Sequence, residues 1–303
     1  MVNDTAIICS EISKSYGEID ALSDFNLIVE TGEVFGIIGP DGSGKTTLFR
    51  LIASLLIPDT GSISVLGFDT VRDYRDIRKK LGYMPGRFSL YPDLSVEENL
   101  AFYASVYGTS IKKNYHLIKD VYSHIEPFKN RRAGKLSGGM KQKLALSCAL
   151  IHSPEILILD EPTTGVDAVS RREFWEMLNK LRKIGITIIV STPYMDEARR
   201  CNRIALIQKG KILDVESPEM IIKKLDLKLF AVRSIERHEI KKVLQSFEMV
   251  HQTYLAGQLL HFTINKGTTE GVEQLLQNEG FKNFEIMPVQ ADIEDCFINM
   301  MKA

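Results

Sequence analysis

The sequence predicts an α/β protein on a mostly parallel sheet, with a helical subdomain inserted in it and a small α+β unit after it. Three observations predict this. The apolar run Val34–Ile38 turns at Gly39-Pro40-Asp41-Gly42-Ser43-Gly44-Lys45-Thr46 into the helical pattern that begins at Thr47-Leu48-Phe49, giving strand, glycine turn and helix in succession. Ile156–Leu159 and Thr187–Val190 are unbroken aliphatic runs, as a strand needs when both its faces are buried. After Leu225 the pattern reads β-α-β-β-α-β plus a helix, the order of a ferredoxin-like unit.

Each element follows in order. Ile7–Ser13 alternates as a strand and Leu27–Val29 looks like another, with Tyr16-Gly17 as turn residues between them. Pro58–Gly61 is a turn before the strand Ser62–Leu66. Asp76–Lys80 is a charged helix end, and Leu81–Pro85 is strand-like. Ser95-x-x-Glu98 is a capping box, and Leu100, Phe102, Tyr103 and Val106 suit an amphipathic helix, so a mostly helical region extends over about 87–150. Leu136–Gln142, with Ser137-Gly138-Gly139, leads into the helix Lys143–Ala149. Thr164–Asp167 is a turn before the helix Ser170–Lys183, whose Trp175 reads as core. Arg203–Gln208, Lys209-Gly210 and Lys211–Leu213 form a hairpin. The expected domains are therefore 1–225 and 226–303.

The chain has 303 residues, 44% hydrophobic and 25% charged, with a net charge of −1, so no overall basic field favours nucleic acid. Its four cysteines form no C-x-x-C pair, which suits reduced, buried thiols in the cytosol. Met1–Thr5 lacks the charged-then-apolar pattern of a signal peptide, and no apolar run reaches the roughly 20 residues of a spanning helix.

The chemistry gathers at the glycine turn, which fits G-x-x-x-x-G-K-[ST] at Gly39, Gly44, Lys45 and Thr46. Glycines let successive backbone N–H groups face phosphate oxygens, the helix start adds its dipole, and Lys45 adds a full charge. The Thr46 hydroxyl suits Mg²⁺. No second such loop occurs. Asp160 and Glu161 end the run Ile156–Leu159, where two acids would be costly without a cation. Asp160 therefore reads as a magnesium-shell acid and Glu161 as the group placed to take a proton from attacking water. Tyr16, upstream on the same β-layer, could stack on adenine or simply end a strand.

The order of this loop, Leu136–Gln142, Leu157–Pro162 and Gly165–Asp167 resembles the ATPase subunit of ABC transporters, of the export type that pairs with a separate permease chain. The resemblance covers about Met1 to Leu225. It implies a P-loop NTPase, ABC-type nucleotide-binding domain with a helical subdomain, using ATP and Mg²⁺. Residues Ile286–Ile298 look like the tail that follows many such subunits. Position by position it implies that Tyr16 stacks on adenine, that Gly39, Pro40, Asp41, Gly42, Ser43, Gly44, Lys45, Thr46 and Thr47 form the phosphate loop, with Lys45 on the β- and γ-phosphates, and that Thr46 and Asp160 face the metal. It further implies that Glu161 is the general base, that Ser137, Gly138 and Gly139 touch the ATP held by a second subunit, and that Asp167 crosses the dimer interface. A head-to-tail dimer, homomeric or heteromeric, and a membrane permease are the implied partners, at the inner face of the cell membrane. Two positions depart from the family. Gly86 stands where it usually has Gln, and Pro193 where it has His, so binding is expected to survive and turnover to be slow or to depend on the permease. A soluble ATP-driven switch, or a weakly hydrolysing member of a heterodimer, are the competing expectations.

Overall fold

The strand that ends at the glycine turn sits centrally in a mostly parallel sheet, and this placement positions the glycine turn beside the acids of the next strand but one. The computed structural model describes residues 5–224, 228–264 and 268–301. Contacts divide the chain into two units, Met1–Pro218 and Glu219–Ala303. The expected boundary at Leu225 lies outside the described residues.

In the first unit β1 (Thr5–Tyr16) and β2 (Ile19–Glu30) form a hairpin, followed by β3 (Val34–Ile38) and α1 (Lys45–Ile52). Then come β4 (Thr60–Val65), β5 (Phe68–Asp69), α2 (Tyr74–Lys80) and β6 (Leu81–Met84). The helical region holds α3 (Val96–Val106), α4 (Ile111–Tyr122) and α5 (Gly138–Leu150). β7 (Ile156–Asp160), α6 (Ala168–Lys183), β8 (Thr187–Thr192), β9 (Arg203–Gln208) and β10 (Lys211–Glu216) complete the unit, and α7 (Pro218–Lys224) starts at its last residue and otherwise belongs to the second unit.

Two sheets result. One is antiparallel in the order β2-β1-β4-β5, and the other runs β10-β9-β3-β8-β7-β6. In the second, β3 is parallel to β8 and β9, and β7 is parallel to β8 and β6. All residues of β3, β7 and β8 are buried, as their aliphatic runs predict. Leu48, Phe49, Leu51 and Ile52 of α1 share one buried cluster with Ile7 and Phe25 of the first sheet and Ile158 and Ile189 of the second. Each such side chain contributes about 1.5–3 kcal/mol of burial, so the helix that carries Lys45 and Thr46 is fixed from both sides.

The capping box holds. Ser95 Oγ accepts from Glu98 N at 3.2 Å, and Glu98 Oε2 accepts from Ser95 N at 2.7 Å. The buried face of α3 differs from the expected one. Val96, Asn99, Leu100 and Ala104 point inward, while Phe102 and Val106 are 39% and 62% exposed. The reason is Asn99, whose amide accepts from Tyr91 N and donates to Tyr91 O and Ser95 O at 2.9 Å each, so a polar residue pins the face. Trp175 is buried core. All four cysteines are buried and none forms a disulfide.

The second unit contains β11 (Lys228–Arg233), α8 (Arg237–Gln245), β12 (Val250–Ala256), β13 (Leu259–Ile264), α9 (Thr269–Asn278), β14 (Glu285–Pro288) and α10 (Ile293–Met300). Its antiparallel sheet runs β12-β13-β11-β14, the interleaving of a β-α-β-β-α-β unit.

Candidate functional site

The loop 39–44 leaves the carboxyl end of β3, where ligands gather in open α/β sheets. Its glycines are required by contact. A Cβ on Gly39 would lie 2.3 Å from Ile207 O. Gly44 takes φ +105°, and a Cβ there would lie 2.4 Å from Ala21 O. Two backbone bonds brace the loop, Ser43 N to Pro40 O at 3.2 Å and Gly210 N to Ser43 O at 3.1 Å. The hairpin tip at Gly210 thus supports the loop from behind, a role the sequence did not reveal.

Lys45 is buried, and its ammonium donates to Gly39 O at 2.9 Å and Pro40 O at 3.0 Å. It lies 3.2 Å from Glu161 Oε1 and 3.9 Å from Asp41 Oδ1. The Thr46 hydroxyl donates to Asp160 Oδ2 at 2.8 Å. The structure therefore brings together Lys45, Thr46, Asp160 and Glu161, which lie more than a hundred residues apart in the chain. Ser191 joins them unforeseen. Its hydroxyl donates to Asp160 Oδ1 at 2.7 Å and accepts from Glu161 N at 2.9 Å. The β7–β8 register sets Asp160 opposite Ser191. A hydroxyl directly after the aliphatic run Thr187–Val190 was the available signal.

Beside these groups is a cavity of about 490 Å³ lined by Thr46, Arg50, Tyr83, Gly86, Asp160 and Glu161, among others. Burial, and next the charge of Asp160, push the Tyr83 phenol up to about 12, so it stays neutral at physiological pH. Gly86 is exposed, and a Cβ there would meet Asp160 O at 3.1 Å. Pro193 lies in the bend directly after β8.

The remaining candidates are placed elsewhere. Ser137 caps α5, accepting from Met140 N at 3.4 Å. A Cβ on Gly139 would lie 2.8 Å from Ser170 Oγ, and one on Gly138 would lie 3.1 Å from Gly165 O. Asp167 caps α6, accepting from Val169 N at 3.1 Å and Ser170 N at 3.0 Å. These backbone bonds, the one from Ser170 first, hold its carboxyl below the usual range. Among the described residues no hydrogen bond or ion pair joins Ser137, Gly138, Gly139 or Asp167 to the loop. Tyr16 ends β1 at the hairpin turn and is 46% exposed; β1 belongs to the antiparallel sheet, not to the layer of the phosphate loop as expected, although Ala21 of the same hairpin touches Gly44.

The donor set can be weighed against a nucleotide and a divalent cation. Ser43 Oγ is buried without a hydrogen-bond partner in the loop that Lys45 follows. Thr46 and Asp160 offer a hard oxygen pair. Among the described residues no group of three or more His, Cys, Asp or Glu could cage a metal. A cation here would complete its shell from phosphate and water, as Mg²⁺ prefers. The residues fit both groups.

Comparison with known proteins agrees. The family model described as ABC transporter matches residues 22–164. The chain is 36% identical over 307 residues to the "Probable multidrug ABC transporter ATP-binding protein YbhF" of Escherichia coli K12, spanning 99% of this chain but only 53% of that relative, about half its length. It is 33% identical over 300 residues to the "Nod factor export ATP-binding protein I" of Rhizobium etli, spanning 98% of this chain and 93% of that one. Among solved structures, the cassette MJ0796 in a dimeric post-hydrolysis state bound to ADP and Pi matches with a TM-score of 0.64 at 29% identity, covering 70% of this chain and 98% of that one.

Proposed function

The chain belongs to the ABC transporter ATP-binding family, and from that premise we propose that it is the ATP-hydrolysing subunit of an export system, working with a separate membrane permease. The observation that carries this reading is the convergence of loop and acidic strand, Thr46 on Asp160 at 2.8 Å and Lys45 on Glu161 at 3.2 Å. The export-type names of the relatives support the direction of transport.

The chemistry divides among this chain's residues. The loop from Gly39 to Thr47 holds the triphosphate with backbone N–H groups, and Lys45 exchanges its loop carbonyls and Glu161 for phosphate oxygens. Thr46 and Asp160 would hold the cation, which would neutralise charge developing on the transferred phosphoryl group. Glu161, released from Lys45, orients water and accepts its proton. Tyr16 stacks on adenine from its exposed position on the hairpin.

Ser137, Gly138, Gly139 and Asp167 have their contacts away from the loop, which supports their service to ATP held by a second copy or a second cassette in a head-to-tail dimer. No helix among the described residues is long and apolar enough to cross a membrane. We place the chain at the inner face of the cell membrane against its permease. The domain division near Leu225 is proposed likewise, with 226–303 as an accessory unit.

Gly86 and Pro193 shape the rate. Neither has a side chain that can hydrogen-bond phosphate or water, so turnover is slow or depends on the permease. The same two residues favour a second reading, in which this chain is the weakly hydrolysing member of a heterodimer. Purifying the chain with its permease and measuring ATPase tests both. The proposal expects co-purification and ATPase that Glu161→Gln abolishes. A chain that never associates with a membrane protein overturns it, and strong turnover by the isolated homodimer overturns the second reading.

A further inference from the structure

We infer that Ser191 is a positioning residue for the acid pair, holding Asp160 and Glu161 in the arrangement that receives the divalent cation and the attacking water. The inference rests on the reading of this site as a Mg·ATP site.

Its single hydroxyl does two things at once. The O–H donates to Asp160 Oδ1 at 2.7 Å, and the oxygen accepts from Glu161 N at 2.9 Å. Asp160 Oδ2 is taken by Thr46 at 2.8 Å. The carboxylate is therefore held at both oxygens, from the phosphate-loop helix on one side and from β8 on the other. When Thr46 turns its oxygen to a cation, Ser191 is the donor that continues to fix the carboxylate plane.

The second bond acts on the backbone. Glu161 leaves β7 at φ +48°, in the left-handed region that a glutamate rarely adopts. The bond from Glu161 N to Ser191 Oγ anchors that turn. It determines the direction in which the Glu161 side chain departs, toward Lys45 rather than along the strand. Ser191 is fully buried, so no water can stand in for it without rearrangement.

A merely structural hydroxyl would serve stability alone. Thr163 supplies the control, because its buried Oγ1 donates to Glu197 at 3.0 Å and touches neither acid. The test measures Mn²⁺ binding to the full chain with ATP present, read from the paramagnetic signal of free Mn²⁺. Binding of a fluorescent ATP analogue in EDTA is measured in parallel, and thermal melts verify folding. Ser191→Ala is expected to weaken Mn²⁺ by about 10- to 100-fold, as loss of a bond that orients a metal ligand does. Its analogue binding in EDTA stays near wild type, and Thr163→Ala leaves Mn²⁺ affinity unchanged. Wild-type Mn²⁺ affinity in Ser191→Ala overturns the proposal, and so does equal weakening in both variants. A wild-type chain that binds the analogue under no condition overturns the site reading itself.

Discussion

Restoring side chains at Gly86 and Pro193 is the perturbation with the largest expected gain. At Gly86 the backbone is outside the left-handed region, so a side chain is conformationally allowed. Its Cβ would meet Asp160 O at 3.1 Å, a tight contact that a shift of a few tenths of an ångström relieves. Because Gly86 is exposed, we take that cost as about 1 kcal/mol of folding stability at most, which leaves the chain folded. Against it stands one preorganised donor beside Asp160 and the cavity, and such a donor contributes about 10²- to 10³-fold in kcat. The gain wins. Gly86→Gln with Pro193→His should therefore raise kcat by at least about 100-fold, the lower end of what one such donor contributes. The assay is steady-state phosphate release at saturating Mg·ATP, with each single variant measured beside the double. Adding Glu161→Gln should erase the gain. An unchanged rate in the double variant would refute the reasoning and place the limit on turnover elsewhere.

Three further outcomes are expected. Glu161→Gln alone should lower kcat by about 10²- to 10⁴-fold, the range for a lost general base, while equilibrium nucleotide binding persists; a rate within a few-fold of wild type would contradict the role. Gly139→Ala forces a methyl to within 2.8 Å of Ser170 Oγ and 2.9 Å of Ser170 Cβ, so it should cost about 1–3 kcal/mol in chemical denaturation, and an unchanged midpoint would show that α5 and α6 give way freely. Burial lowers the pKa of His152, which stacks on Tyr107 with centroids 3.8 Å apart. The unfolded chain therefore takes that proton first as pH falls, and stability present above about pH 6.5 is lost as pH drops through the folded value. Urea midpoints at pH 8 and 5.5 should fall more steeply for wild type than for His152→Phe; parallel slopes would count against it.

The loop and acidic strand were legible because local demands dictate their residues. Gly39 and Gly44 admit no side chain against Ile207 O and Ala21 O, and β7 must be aliphatic because both its faces are covered. Ser191 and Gly210 were not legible, since their roles arise from strand register and from a hairpin about 170 residues downstream of the loop it braces. The long hairpin β1–β2 was also underread. Its outer face carries exposed residues such as Glu11 and Asp24, both at positive φ, which interrupt the alternation that marks a strand. Asn99 hid the true face of α3, because a buried amide satisfied by backbone reads as polar surface in sequence. Leu136–Gln142 and Asp167 were recognisable as motifs, yet within one chain Ser137 and Asp167 act as helix caps.

The central claim is that the glycine loop and the acids of β7 form a Mg·ATP site centred on Lys45. Isothermal titration of Mg·ATP into wild type and Lys45→Ala tests it most directly. The account predicts saturable binding by wild type within about 1 μM to 1 mM, the ordinary enzyme range, and clear weakening in the variant. Absence of binding up to millimolar Mg·ATP, or equal affinity in both proteins, would contradict it.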